Sequence, residues 1–257
     1  MKDLFDLTGK VALVTGAGRG LGKVYAEAYA EYGASLILVD QERQGLEKVA
    51  SEISGRGTKC VWYLADITNE AQIGQVFGDA VDKLGRIDIL MNNAGTSRVN
   101  VAPEEMDIEK WKFVIDVNVT GSYICAQIAG REMIRQKKGK IINISSISGF
   151  IINKGVHGGS YDVSKQAVVG MTRALATEWA KYNINVNAIA PGYFLTIPNK
   201  NFFDADPAFY KDVLEMIPMG RIGDPQELAG AAVFLASQAS DYMTGSVIVV
   251  DGGYTIW

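Results

Sequence analysis

Val11-Ala-Leu-Val-Thr-Gly-Ala-Gly-Arg-Gly-Leu-Gly22 is an apolar run that passes directly into a glycine-rich turn. The next segment, Lys23–Tyr32, repeats its apolar residues with helical period, and Gly33 is well placed to end a helix. A strand, a glycine turn and a helix in this order predict the first unit of a βαβ fold. Further apolar runs occur at Leu36–Val39, Val61–Leu64, Ile87–Met91, Ile141–Ile144, Ile184–Ile189 and Val247–Val250.

The seven runs are rich in Val and Ile, which is typical of strands buried on both faces. Segments with helical character separate them, so right-handed crossovers predict a doubly wound, Rossmann-type α/β fold with one seven-stranded parallel sheet. We predict a single domain over residues 1–257, since no Pro/Gly/Ser-rich linker interrupts the chain. Residues 194–219 depart from the alternation, with three prolines, several aromatic residues and no clear strand. We interpret them as a substrate lid; the alternative is a surface segment that packs on a neighbouring subunit.

The composition excludes several classes of protein. A net charge of −4 gives no general electrostatic reason to bind nucleic acid or an anionic membrane. The first residues are charged rather than apolar, and no run approaches the ~20 apolar residues of a membrane span. Cys60 and Cys125 lie far apart, which favours two reduced thiols, and no Cys, His, Asp or Glu grouping has metal-site spacing. We therefore expect a cytoplasmic protein without a metal.

The glycine turn predicts a dinucleotide site. Glycines allow a backbone to approach a pyrophosphate closely, and a helix N-terminus adds free N–H groups and partial positive charge. The expected contacts are Gly16, Arg19, Gly20, Leu21 and Gly22. Asp40, at the end of the second run, suits the ribose hydroxyls of NAD and repels the 2′-phosphate of NADP. Asp40 therefore favours NAD as the cofactor. NADP stays possible, because the Arg19 guanidinium could pair with the 2′-phosphate.

Polar residues also follow the third and fourth runs. Asp66, next to Ile67, is placed to receive an adenine amino group, and Asn93-Ala94-Gly95 would bring a narrow turn against the cofactor. Each of them alone is also ordinary turn chemistry. Their repetition at successive strand ends favours a cofactor-binding edge.

A catalytic group is predicted after the fifth run. Ser146 follows that strand, and Tyr161 and Lys165 are four positions apart, which places them on one face of a helix. Tyr-x3-Lys occurs often by chance, so the context of strand end and dinucleotide turn is what favours chemistry here. We expect the Lys165 ammonium and the positive ring of an oxidised nicotinamide to lower the pKa of Tyr161. Tyr161 would then move the proton, and Ser146 would donate a hydrogen bond to the reacting oxygen.

Together these residues resemble the short-chain dehydrogenase/reductase family over essentially the whole chain. The resemblance implies that Asn118 is a fourth catalytic residue, which relays protons from Lys165 through water. It also implies that Tyr161, Lys165, Pro191, Gly192 and Thr196 contact the cofactor, and that the protein is a homotetramer. The matching pieces are Thr15–Gly22, Asp66, Asn92–Gly95, Asn118, Ser146, Tyr161 with Lys165, Pro191-Gly192 with Thr196, and Asp251–Gly253.

Within that family the sequence is similar to gluconate 5-dehydrogenases and related sugar-acid reductases, through Asp3–Lys10, Ala190–Phe194 and Gly223–Leu228. Arg98 matches an arginine of those relatives, and it either pairs with a sugar-acid carboxylate or is a surface arginine. His157 and Phe194 are further candidates for substrate contact; a single loop histidine is more often solvated. Val99 departs from the relatives, and the longer interval between Ser146 and Tyr161 indicates altered specificity.

These observations predict an NAD(P)-dependent oxidoreductase that acts on a secondary alcohol or ketone of a polyol, sugar or sugar acid such as gluconate. One alternative is a reductase of 3-oxoacyl carrier proteins or of apolar ketones. Another is a dinucleotide-binding regulator without catalysis, which would have no chemical need for all four of Asn118, Ser146, Tyr161 and Lys165.

Overall fold

The computed structural model describes residues 3–257. Its seven strands form one parallel sheet in the order β3-β2-β1-β4-β5-β6-β7. This confirms the predicted fold class and all seven predicted strands. The strands are β1 (Val11–Thr15), β2 (Ser35–Asp40), β3 (Cys60–Leu64), β4 (Ile89–Asn92), β5 (Gly139–Ile144), β6 (Ile184–Pro191) and β7 (Val247–Val250).

Helices connect the strands, and the predicted end of the first helix is confirmed, because Gly33 adopts φ +96° just beyond it. A short π-helical segment joins the fourth and fifth helices at residues 116–121. The helices are α1 (Gly20–Glu31), α2 (Arg43–Ser54), α3 (Glu70–Leu84), α4 (Ile108–Ile115), α5 (Ser122–Gln136), α6 (Gly159–Trp179), α7 (Ile197–Ala205), α8 (Pro207–Met216) and α9 (Ala229–Ala236).

The sheet is buried on both faces. Alternate residues of β1 point to opposite sides: Ala12 and Val14 pack in one hydrophobic cluster with residues of α1, α2 and α9. Val11 and Leu13 pack in a second cluster with residues of α3, α5 and α6. Burial on both sides explains why the sequences of β1 and β2 are apolar almost throughout rather than alternating.

The parallel arrangement places the carboxyl ends of all strands at one edge of the sheet. The chain reverses the strand order between β1 and β4, and such a switch point leaves a crevice that binds ligands in open α/β sheets. The segments that follow β1, β2, β4, β5 and β6 therefore meet at this edge, and they carry most of the predicted site residues.

Residues 194–219, which the sequence indicated as an irregular lid, contain the helices α7 and α8. Pro207 lies in the first turn of α8, where a missing N–H costs nothing, and the Asp206 side chain accepts from Phe209 N at 3.0 Å. The aromatic residues that disrupted the pattern form a third cluster, in which Phe203 and Val213 pack on Ile147 and Tyr254. We refer to residues 194–219 as the lid segment.

The structure bears on the two cysteines and on the possibility of a membrane span. Cys60 and Cys125 are both free, and burial raises the pKa of the Cys125 thiol to about 12. Within residues 3–257, no helix has the length and apolar character needed to cross a membrane.

Candidate active site

Two positions of the glycine turn after β1 have no space for a side chain. Gly16 has φ +64°, and a Cβ there would lie 2.9 Å from the Cα of Ala94. A Cβ on Gly22 would overlap the carbonyl oxygen of Gly16. By contrast Gly20, with φ +54°, has open space around its missing side chain. In α1, all of which the structure describes, Arg19 is an N-cap without a side-chain hydrogen bond, and the first turn has no acidic residue. Free N–H groups in this position fit a pyrophosphate.

Asn93 and Thr15 attach the end of β4 to this turn. The Thr15 hydroxyl accepts from the N–H groups of Asn93 at 3.1 Å and Ala94 at 3.0 Å. The Asn93 amide donates in return to the carbonyl oxygens of Thr15 at 2.9 Å and Gly16 at 3.2 Å. The sequence indicated Asn93 and Ala94 but not the role of Thr15, whose position as the last residue of β1 was the available signal. These bonds hold Gly95 at the same edge.

Asp40 lies directly beside the glycine turn. One carboxylate oxygen accepts from Gly18 N at 2.8 Å, and the other accepts from Gln41 N at 2.7 Å and Glu42 N at 3.1 Å. Each carboxylate oxygen can accept two hydrogen bonds, so the oxygen bound to Gly18 retains capacity for a ribose hydroxyl. Arg19 is exposed next to this site.

Asp66 and Ile67 follow β3 at the same edge. One oxygen of Asp66 accepts from the N–H and the hydroxyl of Thr68, at 2.8 and 2.7 Å. The Ile67 side chain is buried, and a Cβ on Gly121 would lie 2.7 Å from its Cγ1. Ile67 therefore presents its backbone rather than its side chain to any ligand.

Pro191 and Gly192 also reach this edge. Pro191 is the last residue of β6, and Gly192 N donates to Val250 O at 2.8 Å. Thr196 is the N-cap of α7 and makes no side-chain capping bond there. Apart from Lys165, which lies in the second turn of α6, the predicted cofactor contacts thus lie on segments that follow strands or begin helices at one side of the sheet.

Ser146, Tyr161 and Lys165 converge as predicted. The Ser146 hydroxyl accepts from Ser148 N at 3.1 Å, and it faces the Tyr161 phenol, whose pKa it acts to lower. The Lys165 ammonium lies 5.6 Å from the centre of the Tyr161 ring and donates to Ile144 O at 2.9 Å. Burial lowers the pKa of Lys165 to about 8, because the buried cation is poorly solvated. Lys165 is therefore part of this group, although its ammonium is bonded to the end of β5.

The side chains of this protein, taken together and without a cofactor, do not lower the pKa of Tyr161. Burial raises the pKa of Tyr161, because it disfavours the phenolate. The hydrogen bond with Ser146 and the charge of Arg98 oppose that rise, while the charge of Asp162 adds to it. The expected lowering by Lys165 together with a bound oxidised nicotinamide stays a prediction. Among the charged side chains of residues 3–257, Arg98 acts to lower this pKa and Asp162 acts to raise it.

Asn118 lies within the π-helical segment between α4 and α5, and such segments occur frequently at functional sites. The side chain is buried. Its oxygen accepts from Thr96 N at 2.7 Å, and its amide nitrogen donates to Thr96 O at 3.1 Å and to the Ser164 hydroxyl at 3.0 Å. A Cβ on Gly95 would lie 3.1 Å from the Asn118 oxygen and 3.8 Å from the Lys165 ammonium. Glycine at residue 95 thus leaves room between Asn118 and Lys165.

Arg98 is not a surface arginine. Its Nη2 donates to Asp162 Oδ1 at 2.6 Å and to the Ser148 hydroxyl at 3.2 Å, and its guanidinium lies 5.3 Å from the centre of the Tyr161 ring. The Asn153 amide donates to the same hydroxyl at 2.7 Å, and the Tyr193 hydroxyl is 3.4 Å from the Asn153 oxygen. Sequence reasoning missed Asp162, Ser148, Asn153 and Tyr193; the adjacency of Asp162 to Tyr161 was the one available signal.

The other two substrate candidates are placed differently. Phe194 is only 4% exposed, belongs to the cluster between the sheet and α9, and lies against Gly223, so we correct the expectation that its ring contacts substrate. Its neighbour Tyr193 is the aromatic residue that reaches the Arg98 network. His157 is exposed, and its backbone N–H donates to the Asn100 side chain at 2.8 Å.

A dinucleotide-binding edge with a serine, a tyrosine and a lysine beside it defines the class of nicotinamide-dependent oxidoreductases. The comparisons with known proteins identify the family. A protein-family model described as "Enoyl-(Acyl carrier protein) reductase" matches residues 16–255. The chain belongs to the short-chain dehydrogenase/reductase family, which confirms the resemblance, and it is an oxidoreductase that acts on CH–OH groups.

Three relatives cover nearly the entire chain. Galactitol 2-dehydrogenase (L-tagatose-forming) of Cereibacter sphaeroides is 40% identical, with 100% of this chain and 99% of the relative covered. 2-Dehydro-3-deoxy-D-gluconate 5-dehydrogenase of Dickeya dadantii is 44% identical, with 97% of each chain covered. The crystal structure of a gluconate 5-dehydrogenase from Burkholderia cenocepacia, in complex with NADP and tartrate, is 35% identical and has a TM-score of 0.93 over 99% of this chain and 98% of that one.

Proposed function

We propose that this protein is an NAD-preferring dehydrogenase that oxidises a secondary alcohol of a polyol, sugar or sugar acid, and reduces the corresponding ketone. The observation that carries the proposal is the position of the Arg98, Ser148, Asn153 and Tyr193 network next to Tyr161. Side chains that donate and accept hydrogen bonds suit a substrate with several hydroxyl groups. The names of the galactitol and dehydrodeoxygluconate dehydrogenases support the same substrate class.

The cofactor residues proposed are those that line the edge of the sheet. The uncapped start of α1 and the glycine turn suit the pyrophosphate, and Asp40 suits the ribose hydroxyls. When bound, the nicotinamide accepts or donates the hydride. We propose these contacts at Gly16, Arg19, Gly20, Leu21, Gly22, Asp40, Asp66, Ile67, Asn93, Ala94, Gly95, Tyr161, Lys165, Pro191, Gly192 and Thr196.

The proton is moved by Tyr161 in this mechanism. In reduction, the phenol gives its proton to the ketone oxygen, and its raised pKa keeps it protonated at neutral pH. In oxidation, the phenolate removes the proton of the carbinol. Ser146 donates a hydrogen bond to the same oxygen and fixes its position. Asn118 and Lys165, on either side of Gly95, supply the groups through which protons are exchanged with water.

Replacing Ser146 with alanine is expected to move the pH dependence of alcohol oxidation to higher pH. The hydrogen bond with Ser146 lowers the pKa of Tyr161, so its loss raises that pKa, and the phenolate needed for oxidation forms at higher pH. The measurement is kcat/KM for oxidation as a function of pH. Ser51→Ala, an exposed position on α2, is the control and should leave the profile in place. An unchanged midpoint in Ser146→Ala would contradict the proposed role of this hydroxyl.

Replacing Asp40 with alanine is expected to reduce the preference for NAD over NADP by about tenfold or more, because a charge-assisted hydrogen bond contributes ~1.5–3 kcal/mol. The ratio of kcat/KM for the two cofactors is the measurement. Asp82→Ala, on an exposed part of α3, is the matched control. If the ratio is the same in Asp40→Ala and in the unaltered protein, Asp40 does not determine cofactor choice.

The substrate class is tested by following nicotinamide reduction with polyols, sugars, sugar acids and apolar alcohols in parallel.

A second candidate function is the reduction of acyl-carrier or other apolar ketones. The exposed side chains of Phe150 and Ile152, in the loop before α6, favour it. Activity restricted to apolar alcohols would select that candidate and remove the polyol proposal. Binding of NAD without turnover of any substrate would instead favour a regulator.

Assembly and location are proposed on separate grounds. The exposed apolar residues Val249, Ile256 and Trp257, at the C-terminal end of the chain, suit an interface in a homotetramer. Light scattering measures the mass directly, and a monomer would exclude this assembly.

The free thiols of Cys60 and Cys125 suit the reducing cytoplasm.

A further inference from the structure

Arg98 and Asp162 form a buried ion pair beside Tyr161. Their side chains are 17% and 3% exposed, and the Nη2–Oδ1 distance is 2.6 Å. The guanidinium also lies 5.3 Å from the centre of the Tyr161 ring, so the pair is next to the group that is proposed to exchange a proton with the substrate. A buried charge is tolerated when an opposite charge balances it. Arg98 therefore brings no net positive charge to this part of the site.

The other partners of Arg98 do not change that balance. Ser148 and Asn153 are neutral, and they bond to each other and to Arg98 through the Ser148 hydroxyl. The nearby Lys165 donates to Ile144 O at the end of β5 rather than to either member of the pair. Tyr193 and Tyr254 face the same arginine, and burial raises the pKa of both phenols, which keeps them neutral.

The position of Asp162 is fixed by its surroundings. A side chain on Gly158 would overlap its carboxylate, so glycine at residue 158 makes room for it. Within residues 3–257, Asp162 Oδ2 and Arg98 Nε are buried atoms without a hydrogen-bond partner. Each member of the pair thus depends on the other, and separating them would leave an uncompensated charge inside the protein.

We propose that Asp162 is a specificity-determining residue, which neutralises Arg98 and thereby makes the site select an uncharged polyol or ketose over a sugar acid. The inference rests on the proposed function, in that the substrate is polyhydroxylated and reacts at Tyr161. A substrate carboxylate must either compete with Asp162 for Arg98 or accept a like charge close by, and both are unfavourable. A hydroxyl group can donate as well as accept, so it needs no net positive charge.

Replacing Asp162 with asparagine tests this directly. Asparagine keeps the shape and one acceptor for Arg98 but removes the negative charge. The measurement is the ratio of kcat/KM for galactitol to kcat/KM for gluconate. We expect this ratio to fall about tenfold or more, through a lower KM for gluconate, while any change in kcat caused by the lowered pKa of Tyr161 affects both substrates alike. Asp241→Asn is the matched control, because Asp241 pairs with Lys140 at 2.8 Å but lies after α9 at the opposite edge of the sheet.

A second variant and a second readout separate the possible failures. Calorimetric binding of gluconate to the complex with NADH reports on Arg98 without turnover, and it should tighten in Asp162→Asn. In the double variant Arg98→Gln with Asp162→Asn, no cation remains to attract the carboxylate, so the gain should disappear. If the unaltered protein turns over neither compound but Asp162→Asn still gains gluconate affinity, the proposed function fails and the role of Asp162 stands.

Other outcomes would overturn the proposed role of Asp162. If Asp162→Asn leaves both the substrate ratio and the gluconate affinity unchanged, the role of Asp162 is overturned while the dehydrogenase activity is retained. If Asp162→Asn does not fold, the double variant Arg98→Gln with Asp162→Asn decides the question, because it removes both charges and leaves no uncompensated carboxylate beside the substrate. A large loss of gluconate affinity in that variant, relative to the unaltered protein, would mean that Arg98 already serves the carboxylate in the presence of Asp162, which contradicts the proposal; unchanged gluconate affinity supports it.

Discussion

Replacing Tyr161 with phenylalanine is expected to reduce kcat by about 10²–10⁴-fold while the affinity for NADH changes by no more than a few-fold. The substitution removes only the hydroxyl that bonds to Ser146 and exchanges a proton with the substrate oxygen. The ring remains between Arg98 and Lys165, at 5.3 and 5.6 Å from their cationic groups, so the site should retain its shape. Steady-state turnover and fluorescence titration with NADH measure the two quantities separately.

Tyr242→Phe is the control for this experiment, since that side chain is fully exposed. It should leave both kcat and the affinity for NADH unchanged. If Tyr161→Phe retained turnover within a few-fold of the unaltered protein, another group would have to move the proton, and the mechanism proposed here would be incorrect. Loss of turnover together with loss of NADH binding would show damage to the site rather than removal of an acid.

Replacing Gly22 with alanine is expected to weaken NADH binding by about tenfold to a hundredfold. The added Cβ would overlap the carbonyl oxygen of Gly16 and press on the Asn93 side chain, which attaches the end of β4 to the glycine turn. Forcing extra atoms into a packed site costs ~1–3 kcal/mol, and the turn must shift to relieve it. Because the same turn presents the N-terminus of α1, a shift there should act on pyrophosphate binding.

Gly74→Ala is the matched control, because it lies in α3 with no atom within 4 Å of the added Cβ. Alanine there should leave NADH affinity unchanged and stabilise the helix slightly. Thermal unfolding of both variants distinguishes a local shift from general destabilisation. Undiminished NADH affinity in folded Gly22→Ala would contradict the assignment of this turn to the cofactor.

The sheet, and the convergence of the proposed cofactor residues at one edge of it, could be predicted because local sequence determines them. Strands buried on both faces are mostly apolar, which made the central strands visible as separate runs, and the partly exposed edge strands β3 and β7 are also rich in apolar residues. The glycine turn combines a strand end with a helix start, so Gly16 and Gly22 lie only six positions apart in the sequence and close together in space. Tyr161 and Lys165 are likewise one helical turn apart.

The features that could not be predicted depend on contacts between distant residues. Arg98 and Asp162 are separated by 64 positions, and nothing near either of them indicates the other. The direction of the Tyr161 pKa depends on burial, which spacing along the chain does not reveal. The lid segment was indicated as irregular because its aromatic residues serve a local cluster around Phe203 and Tyr254 instead of the central sheet.

The most direct test of the account is transfer of the hydride itself. A polyol such as galactitol, deuterated at its carbinol carbons, is oxidised with NAD, and the reduced cofactor is examined by mass spectrometry. The account predicts one deuterium in each NADH formed by the unaltered protein, and almost no NADH formed by Tyr161→Phe. NADH formed without deuterium, or no NADH from any deuterated polyol despite tight NAD binding, would contradict the claim that this site oxidises a polyol carbinol.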